Sequence, residues 1–174
     1  QSAYLDENGN CYIADSGNNR IQAFSIEKEA GERIAPAPQS GRLSLTKIIP
    51  FKVSDVAVAT SGNLYILDKA EAKVTILDKD YKPIGSFGRS GSDKGKFSEP
   101  SSIVTDDAGH IFISDTGNHR IQVFDGDGKY LYDFGGKGGT DGKVYSPGGL
   151  AYKTGKLWVA DTGNNRIQMF SQDG

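Results

Sequence analysis

The sequence predicts an all-β protein built from four repeats of one antiparallel unit, and three observations support this prediction. A ten-residue stretch that begins Asp-Thr-Gly-Asn-His-Arg at Asp115 recurs with few changes at Asp15 and Asp161, and in a degraded form at Asp68. These leading aspartates lie 53, 47 and 46 residues apart, and a period in the forties indicates an array of like structural units. A short run rich in β-branched and aromatic residues precedes each copy, and no stretch shows helical periodicity.

Each repeat has the pattern of a β-meander. The apolar run before the aspartate, such as 111–114, is bounded by glycine and aspartate and is typical of a strand. Asp-Thr-Gly-Asn then predicts a tight turn, in which the aspartate accepts hydrogen bonds from backbone N–H groups two residues on. Glycine and asparagine tolerate the positive φ that such a turn needs. The segment 120–124, Arg-Ile-Gln-Val-Phe, is the expected return strand.

The same pattern predicts the strands of all four repeats, which occupy roughly 1–50, 51–98, 99–146 and 147–174. In the first repeat, Pro36, Pro38 and Pro50 predict an edge strand near 32–35 followed by a long loop, because proline cannot donate to a strand ladder. The other strands are expected at 3–5, 11–14 and 20–26; at 53–59, 64–67, 73–77 and 82–87; at 102–105, 111–114, 120–124 and 130–135; and at 149–152, 157–160 and 166–170.

Asp-Thr-Gly-Asn-His-Arg-Ile-Gln-Val-Phe, preceded by Gly-x-Ile-Phe-Ile-Ser and by Gly-Lys-Phe-Ser-Glu-Pro at 95–100, resembles the NHL repeat. The resemblance extends over nearly the whole chain and implies a β-propeller of four-stranded antiparallel blades, one blade per repeat. Propellers of this family usually close with six blades. Four repeats therefore imply part of a larger ring, or chains that associate through open blade ends, rather than a lone four-blade ring.

Composition and charge exclude several classes of protein and of site. The net charge of −2 and the pI of about 5.7 give no overall basic field to attract phosphate backbones. No apolar run has the length of a membrane span. Because Cys11 is the sole cysteine of the sequence, an internal disulfide and a multi-cysteine zinc site are excluded. Because bacterial members of the resembling family are often exported, the resemblance favours an extracytoplasmic location.

The repeated polar residues are predicted to stabilise the blades rather than to bind a ligand, because a pattern present in every blade serves the blade. The aspartate is expected to satisfy turn amides, and the arginine to pair with carboxylates or to pack its stem between blades. This interpretation applies to Asp15, Asn18, Arg20, Asp115, Asn118, Arg120, Asp161, Asn164 and Arg166.

Turns of a meander alternate between two faces, so the Asp-Thr-Gly-Asn turns share one face with the inter-blade loops 88–101 and 135–147 and with 36–50. We call this the loop face. Because loops on a rigid scaffold are where binding residues concentrate, we predict that the loop face recognises a protein, peptide or glycan. The candidate contact residues are Arg89, Lys94, Lys96, Phe97, His119, Lys137, Lys143 and Tyr145.

No catalytic residue, metal site or cofactor is predicted, and we expect a non-catalytic binding scaffold. His110 and His119 fall in turns on opposite faces and cannot form one zinc site. Asp55 and Asp106 are the candidates for an axial metal site of the kind that lactonase-like propellers have, although Asp106 is more simply a turn residue.

Two alternative functions stay open. RNA binding, known for some members of the resembling family, needs a basic face with aromatic side chains, for which the inter-blade lysines, Phe97 and Tyr145 are available. A propeller hydrolase or lyase would need its site to be completed by blades outside this chain.

Overall fold

The computed structural model describes residues 2–6, 9–27 and 42–171, which form four antiparallel β-sheets. The all-β prediction is confirmed, and each sheet is one blade of a β-propeller. Three short 3₁₀ turns are the helical segments of the described residues, and none of them could cross a membrane.

The strands are β1 (Ser2–Leu5), β2 (Asn10–Asp15), β3 (Arg20–Glu27) and β4 (Arg42–Pro50) in blade 1; β5 (Asp55–Val58), β6 (Leu64–Asp68), β7 (Lys73–Leu77) and β8 (Pro83–Phe87) in blade 2; β9 (Ser102–Thr105), β10 (Ile111–Asp115), β11 (Arg120–Phe124) and β12 (Tyr130–Gly135) in blade 3; and β13 (Leu150–Lys153), β14 (Lys156–Asp161) and β15 (Arg166–Ser171) in blade 4.

The strand register repeats from blade to blade. Asp115 pairs with Arg120 across the turn between β10 and β11, and the equivalent aspartate and arginine pair in blades 1 and 4. A β-bulge interrupts the pairing of the third and fourth strands at the same place in blades 1, 2 and 3, beside Phe24, Leu77 and Phe124. The ten-residue repeat therefore produces one backbone geometry each time.

The innermost strands β1, β5, β9 and β13 stand side by side around a common axis. Hydrogen bonds link three of them. The buried Asp55 carboxylate accepts hydrogen bonds from Ser102 Oγ and from Ile103 N, both at 2.9 Å. Ser102 Oγ accepts one from Leu150 N at 3.2 Å. Asp55 therefore stabilises the contact between blades, where the sequence had suggested a candidate metal ligand.

Apolar side chains fill the three joints between successive blades, because alternate residues of each strand point to opposite faces of its sheet. Each joint combines residues from the second and third strands of one blade with residues from the opposite face of the next. Joint 1–2 contains Tyr12, Ile21, Leu64 and Leu77; joint 2–3 contains Tyr65, Val74, Ile111 and Phe124; joint 3–4 contains Phe112, Ile121, Leu157 and Phe170.

The outer strand of blade 1 differs from the prediction. β4 lies within the segment predicted to be a loop, and it pairs with β3 along its whole length. The predicted strand at 32–35 lies outside the described residues. In the sequence, Leu43 and Leu45 alternate with Ser44 as in a strand, but the nearby prolines obscure this pattern. Pro50 takes the last position of an edge strand, where proline is tolerated.

Candidate functional site

Four polar side chains of each regular repeat form one cluster, which we call the latch. In blade 3 the latch comprises Asp115, Asn118, Arg120 and Gln122, of which Asp115 and Gln122 are fully buried. The Asp115 carboxylate accepts hydrogen bonds from Asn118 Nδ2 (2.9 Å), Arg120 Nε (2.8 Å) and Gln122 Nε2 (2.9 Å). Blades 1 and 4 contain the same latch with the same hydrogen bonds. Its members are Asp15, Asn18, Arg20 and Gln22 in blade 1, and Asp161, Asn164, Arg166 and Gln168 in blade 4.

The latch of blade 3 ties the preceding inter-blade loop to the blade. Asp115 Oδ1 accepts a hydrogen bond of 2.7 Å from Ser98 N. Gln122 accepts one from Gly95 N at 2.9 Å and donates one to Lys96 O at 2.6 Å. The guanidinium group of the latch donates to three carbonyl groups of the same loop. The latch therefore fixes the shape of a loop that forms part of the loop face.

Blade 4 repeats this arrangement around Asp161. Asp161 Oδ1 accepts a hydrogen bond of 2.7 Å from Tyr145 N, and Gln168 donates one of 2.7 Å to Lys143 O. Burial alone would raise the pKa of Asp161, but hydrogen bonds from the Tyr145 N–H and from the other latch side chains outweigh burial and lower that pKa. The carboxylate is therefore charged at neutral pH and holds the second loop.

The turn of the regular repeat differs from the prediction in two respects. Residues 116–118 form a 3₁₀ turn without a side-chain cap, because Asp115 is used by the latch. The positive φ, 56°, falls on His119, the residue after the asparagine, and not on the glycine. In the degraded turn of blade 2, by contrast, Asp68 does accept bonds from turn amides, those of Ala70 (2.9 Å) and Glu71 (3.1 Å).

Gly117 is needed because a side chain would not fit there, and not because its backbone has a positive φ. A Cβ atom there would lie 2.4 Å from Ser98 Oγ and 3.0 Å from Ser98 O, whereas one on the equivalent Gly17 would meet no described atom within 4 Å. We expect Gly117→Ala to lower the free energy of unfolding by about 1–3 kcal/mol, as overpacking does. The matched variant Gly17→Ala should change it by less than about 0.5 kcal/mol. Urea denaturation measures both, and equal losses would contradict the explanation.

The structure places the predicted contact residues of the two inter-blade loops in different environments. Lys96 is half-buried and pairs with the Asp93 carboxylate. Phe97 is fully buried in joint 2–3, where its ring centroid lies 5.6 Å from that of Phe124, so it does not reach the surface. The exposed cations are Arg89, Lys94, Lys137 and Lys143.

His119, Tyr145 and Lys137 lie together, and we call them the loop-face cluster. The His119 and Tyr145 ring centroids are 4.9 Å apart, and Lys137 Nζ lies 5.4 Å from the Tyr145 centroid. His119 Nδ1 accepts a hydrogen bond of 3.1 Å from Ser146 N, so the neutral ring has its proton on Nε2. Tyr145 is 39% exposed, and its backbone is held by the latch of blade 4. The cluster thus offers an aromatic surface next to a cation on a fixed loop.

The two inter-blade loops are basic although the chain as a whole is acidic. Residues 88–101 and 136–149 contain five Lys or Arg and three Asp or Glu side chains, a net charge of +2, whereas the whole chain has −2. Two of these carboxylates already have partners, Asp93 with Lys96 and Asp141 with Arg166. These two loops therefore carry a net positive charge within a chain whose net charge is negative.

The opposite face has a cavity that the sequence did not predict. It measures about 750 Å³ and lies at the axis, between the ends of the four innermost strands. Its lining includes Tyr4, Val58, Thr105, Asp107 and Tyr152. Tyr152 Oη donates to Asp107 Oδ2 at 3.4 Å, and burial raises the pKa of Tyr152. Sequence reasoning missed this cavity because its lining residues are about one repeat apart and meet only around the axis.

Asp106, the second candidate metal ligand, and the two histidines lie in turns at the ends of strands. Asp106 accepts hydrogen bonds from Ala108 N (2.9 Å) and His110 N (2.8 Å), so it is a turn residue. His110 and His119 flank the two ends of β10, on opposite faces. Within residues 2–6, 9–27 and 42–171, no three His, Cys, Asp or Glu side chains are arranged to hold a metal ion.

Two segments of the chain, residues 97–124 and 144–170, match the family model of the NHL repeat. These two segments have the sequence of an NHL repeat. Each matched segment of NHL sequence begins at a buried inter-blade residue, Phe97 or Val144, and ends at a buried aromatic residue of the third strand, Phe124 or Phe170. An NHL segment of this chain therefore includes a whole latch and the loop residue that packs into the joint.

Solved structures share the propeller arrangement of these blades. The chain is 20% identical to a streptogramin B lyase (TM-score 0.67, 99% of this chain and 51% of that chain). It is 15% identical to the hydrazine synthase of Kuenenia stuttgartiensis (TM-score 0.64, 97% and 45%) and 16% identical to an auxiliary nutrient binding protein from Bacteroides thetaiotaomicron (TM-score 0.59, 94% and 45%). At these identities the likeness shows the fold alone. The chain spans about half the length of each of these structures.

Proposed function

We propose that this NHL-repeat chain is a non-catalytic binding module whose loop face recognises an acidic segment of a protein or peptide. The observation that supports this proposal is the loop-face cluster, in which both Lys137 and His119 lie close to the exposed Tyr145 ring. Tyrosine is among the residues that contribute most to protein–protein affinity, because its large ring has few torsions to immobilise. The latches hold the loops before any partner arrives, so little ordering entropy is lost on binding.

The charge of the loops favours an acidic partner. Arg89, Lys94, Lys137 and Lys143 are exposed on a surface that is positive within a negative chain. Complementary charge steers a partner to this face and away from the rest of the chain. Specificity would then come from the fixed aromatic ring.

Three of the buried carboxylates already accept several hydrogen bonds within the protein. Asp115 and Asp161 each accept bonds from three latch side chains and one loop amide, and Asp55 accepts three hydrogen bonds at the joint of blades 2 and 3. A carboxylate whose oxygens already accept this many hydrogen bonds from the protein is poorly placed to take a proton from a substrate. This arrangement supports a binding role over an enzymatic one.

A displayed peptide library tests the proposed function. We expect the chain to select peptides rich in Asp and Glu, and the double variant Lys137→Glu with Tyr145→Ala to bind a selected peptide at least about tenfold more weakly, because it removes one cation and the exposed ring. The matched control is Lys129→Glu, which changes the same charge in an exposed turn on the opposite face. Unbiased selection, or equal loss in the control, would overturn the proposal.

Single-stranded RNA is the alternative that the same surface suggests, since bases stack on exposed aromatic rings beside cations. Burial of Phe97 removes one of the two aromatic side chains that this alternative requires. We therefore expect a fluorescent oligouridine not to bind at low salt. Saturable binding that is lost in the Lys137→Glu, Tyr145→Ala variant would replace the peptide by RNA as the ligand.

A further inference from the structure

The two inter-blade loops have the same backbone arrangement, so their side chains can be compared position by position. Residues 88–101 align with residues 135–148 without a gap. In both loops the latch aspartate accepts a hydrogen bond of 2.7 Å from the equivalent amide, and the latch asparagine donates to the equivalent glycine carbonyl group. An equivalent parallel β-bridge forms in each loop. Side chains that differ between the loops are therefore not needed to form the loop or its attachment to the latch.

All three residues of the loop-face cluster depart from the repeat. His119 directly follows the turn of blade 3, and Lys137 and Tyr145 belong to the loop that follows this blade. Their equivalents one blade earlier are, in the same order, Ala72, Ser90 and Ser98. The larger side chains occur together beside joint 3–4, whereas joint 2–3 forms with small residues at these positions. The cluster is therefore a surface that the blades themselves do not require.

His119 uses one ring nitrogen within the protein, and the other is a hydrogen-bond donor. Nδ1 accepts the hydrogen bond from Ser146 N, so the neutral ring carries its proton on Nε2. Within the described part of the chain, no group accepts a hydrogen bond from Nε2. The ring is half-buried and lies against Tyr145. The loop face thus contains an N–H donor whose tautomer is set by the protein and whose acceptor must come from solvent or from a partner.

We propose that His119 determines the specificity of the loop face by donating a hydrogen bond from Nε2 to a carboxylate oxygen of an Asp or Glu side chain in the bound segment. This inference rests on the function proposed above and names the group that the site recognises. A donor requires an acceptor, and a hydrogen bond to a charged acceptor is stronger than one to a neutral acceptor. The exposed ammonium group of Lys137, 5.4 Å from the Tyr145 centroid, favours a negative charge near the same rings. A carboxylate therefore fits both the donor and the charge of the cluster.

Two substitutions of His119 separate the roles of its nitrogens. The amide group of Asn reaches about as far as Nδ1, and that of Gln about as far as Nε2. Asn holds the equivalent position in blades 1 and 4, as Asn19 and Asn165, also with positive φ. His119→Asn therefore suits the backbone and still offers an acceptor to Ser146 N, but it has no donor at the place of Nε2. If His119 only held the loop, His119→Asn would preserve binding better than His119→Gln, whereas the proposal expects the reverse.

The probe is the peptide of highest affinity from the displayed library, labelled with a fluorophore and followed by fluorescence anisotropy with the full chain. We expect His119→Asn to weaken binding about tenfold, which corresponds to the loss of one hydrogen bond to a charged group, and His119→Gln to weaken it less than about threefold. His110→Asn is the matched control on the opposite face and should bind like the unchanged chain. In blade 1, Asn10 at this position makes the equivalent bonds to Asp6.

Alanine substitutions at each acidic position of the peptide complete the test. We expect one of them to weaken binding to the unchanged chain about tenfold and to have no further effect on the His119→Asn variant, as a double-mutant cycle shows for two groups in contact. Equal binding by the Asn and Gln variants, or no acidic position whose effect depends on His119, would overturn this inference. The function proposed above would still stand if Lys137→Glu with Tyr145→Ala weakened binding. A library that yields no acidic peptide would overturn both.

Discussion

Replacing Asp115 by alanine should lower the free energy of unfolding by about 3–5 kcal/mol, the cost of breaking a buried charge pair from one side. The substitution removes the acceptor for Arg120, whose side chain is mostly buried, and for Gln122, which is fully buried. It also removes the acceptor for Ser98 N, so the loop 88–101 loses one of its attachments. For a protein of this size the loss corresponds to a fall in Tm of about 10 °C, which thermal denaturation followed by circular dichroism would measure.

The matched control for this prediction is Asp68→Ala. Asp68 holds the same position in the repeat, but the hydrogen bonds that it accepts come from the amides of Ala70 and Glu71 in its exposed turn. We expect this variant to lose no more than about 1 kcal/mol, since each such bond contributes little net stability where water can replace it. A loss as large as that of Asp115→Ala would show that the latch is not what stabilises the regular blades.

Replacing Phe97 by alanine should lower the free energy of unfolding by about 3–5 kcal/mol, as for other buried aromatic side chains. The ring is inserted from an inter-blade loop into joint 2–3. Its centroid lies 5.6 Å from that of Phe124 and 6.5 Å from that of Phe87, in edge-to-face contacts. Removing it leaves a cavity between two β-sheets, which can collapse only partly because their strands are held by hydrogen bonds.

Urea denaturation measures this loss as a lower midpoint with an unchanged slope. Leu131→Ala, at a 40% exposed position of β12, is the control and should cost less than about 1 kcal/mol. If Phe97→Ala behaved like Leu131→Ala, Phe97 would not be part of the joint, and its place on the loop face would have to be considered again.

The strands of blades 2, 3 and 4 were predictable to within one or two residues, because short apolar runs between turn residues are a local signal. In blade 3 the predicted and observed strands agree at 102–105, 120–124 and 130–135. Blade 1 shows the limit of this signal. The strand pattern of 42–50 is present in the sequence, but the prolines around it favour a loop. Proline has no N–H to donate, so whether it interrupts a strand depends on whether its nitrogen faces a neighbouring strand, which the sequence does not show.

The latch was predictable as a structural feature but not in its contacts. A pattern that recurs at Asp15, Asp115 and Asp161 pointed to a role in the blade. Its partners in the loops lie 16 to 28 residues away along the chain, and their meeting depends on how each loop folds back on its blade. The local turn pattern likewise indicates a positive φ for the turn glycine, whereas the structure shows that Gly117 is needed where Ser98 approaches.

The sequence by itself determined the number of repeats, the strand order and the residues that stabilise each blade, since all of these follow from periodicity and local turn chemistry. The tertiary structure alone decided which of the candidate contact residues are accessible. Phe97 and Tyr145 both lie in inter-blade loops, yet one is fully buried and the other is exposed beside His119 and Lys137. It also decided which copies of one repeated face are covered, because Ile121 and Ile167 have the same place in the repeat and differ only in whether a following blade packs on them. Burial depends on the neighbours of a residue in space, and a repeated sequence gives the same local pattern to covered and uncovered copies alike.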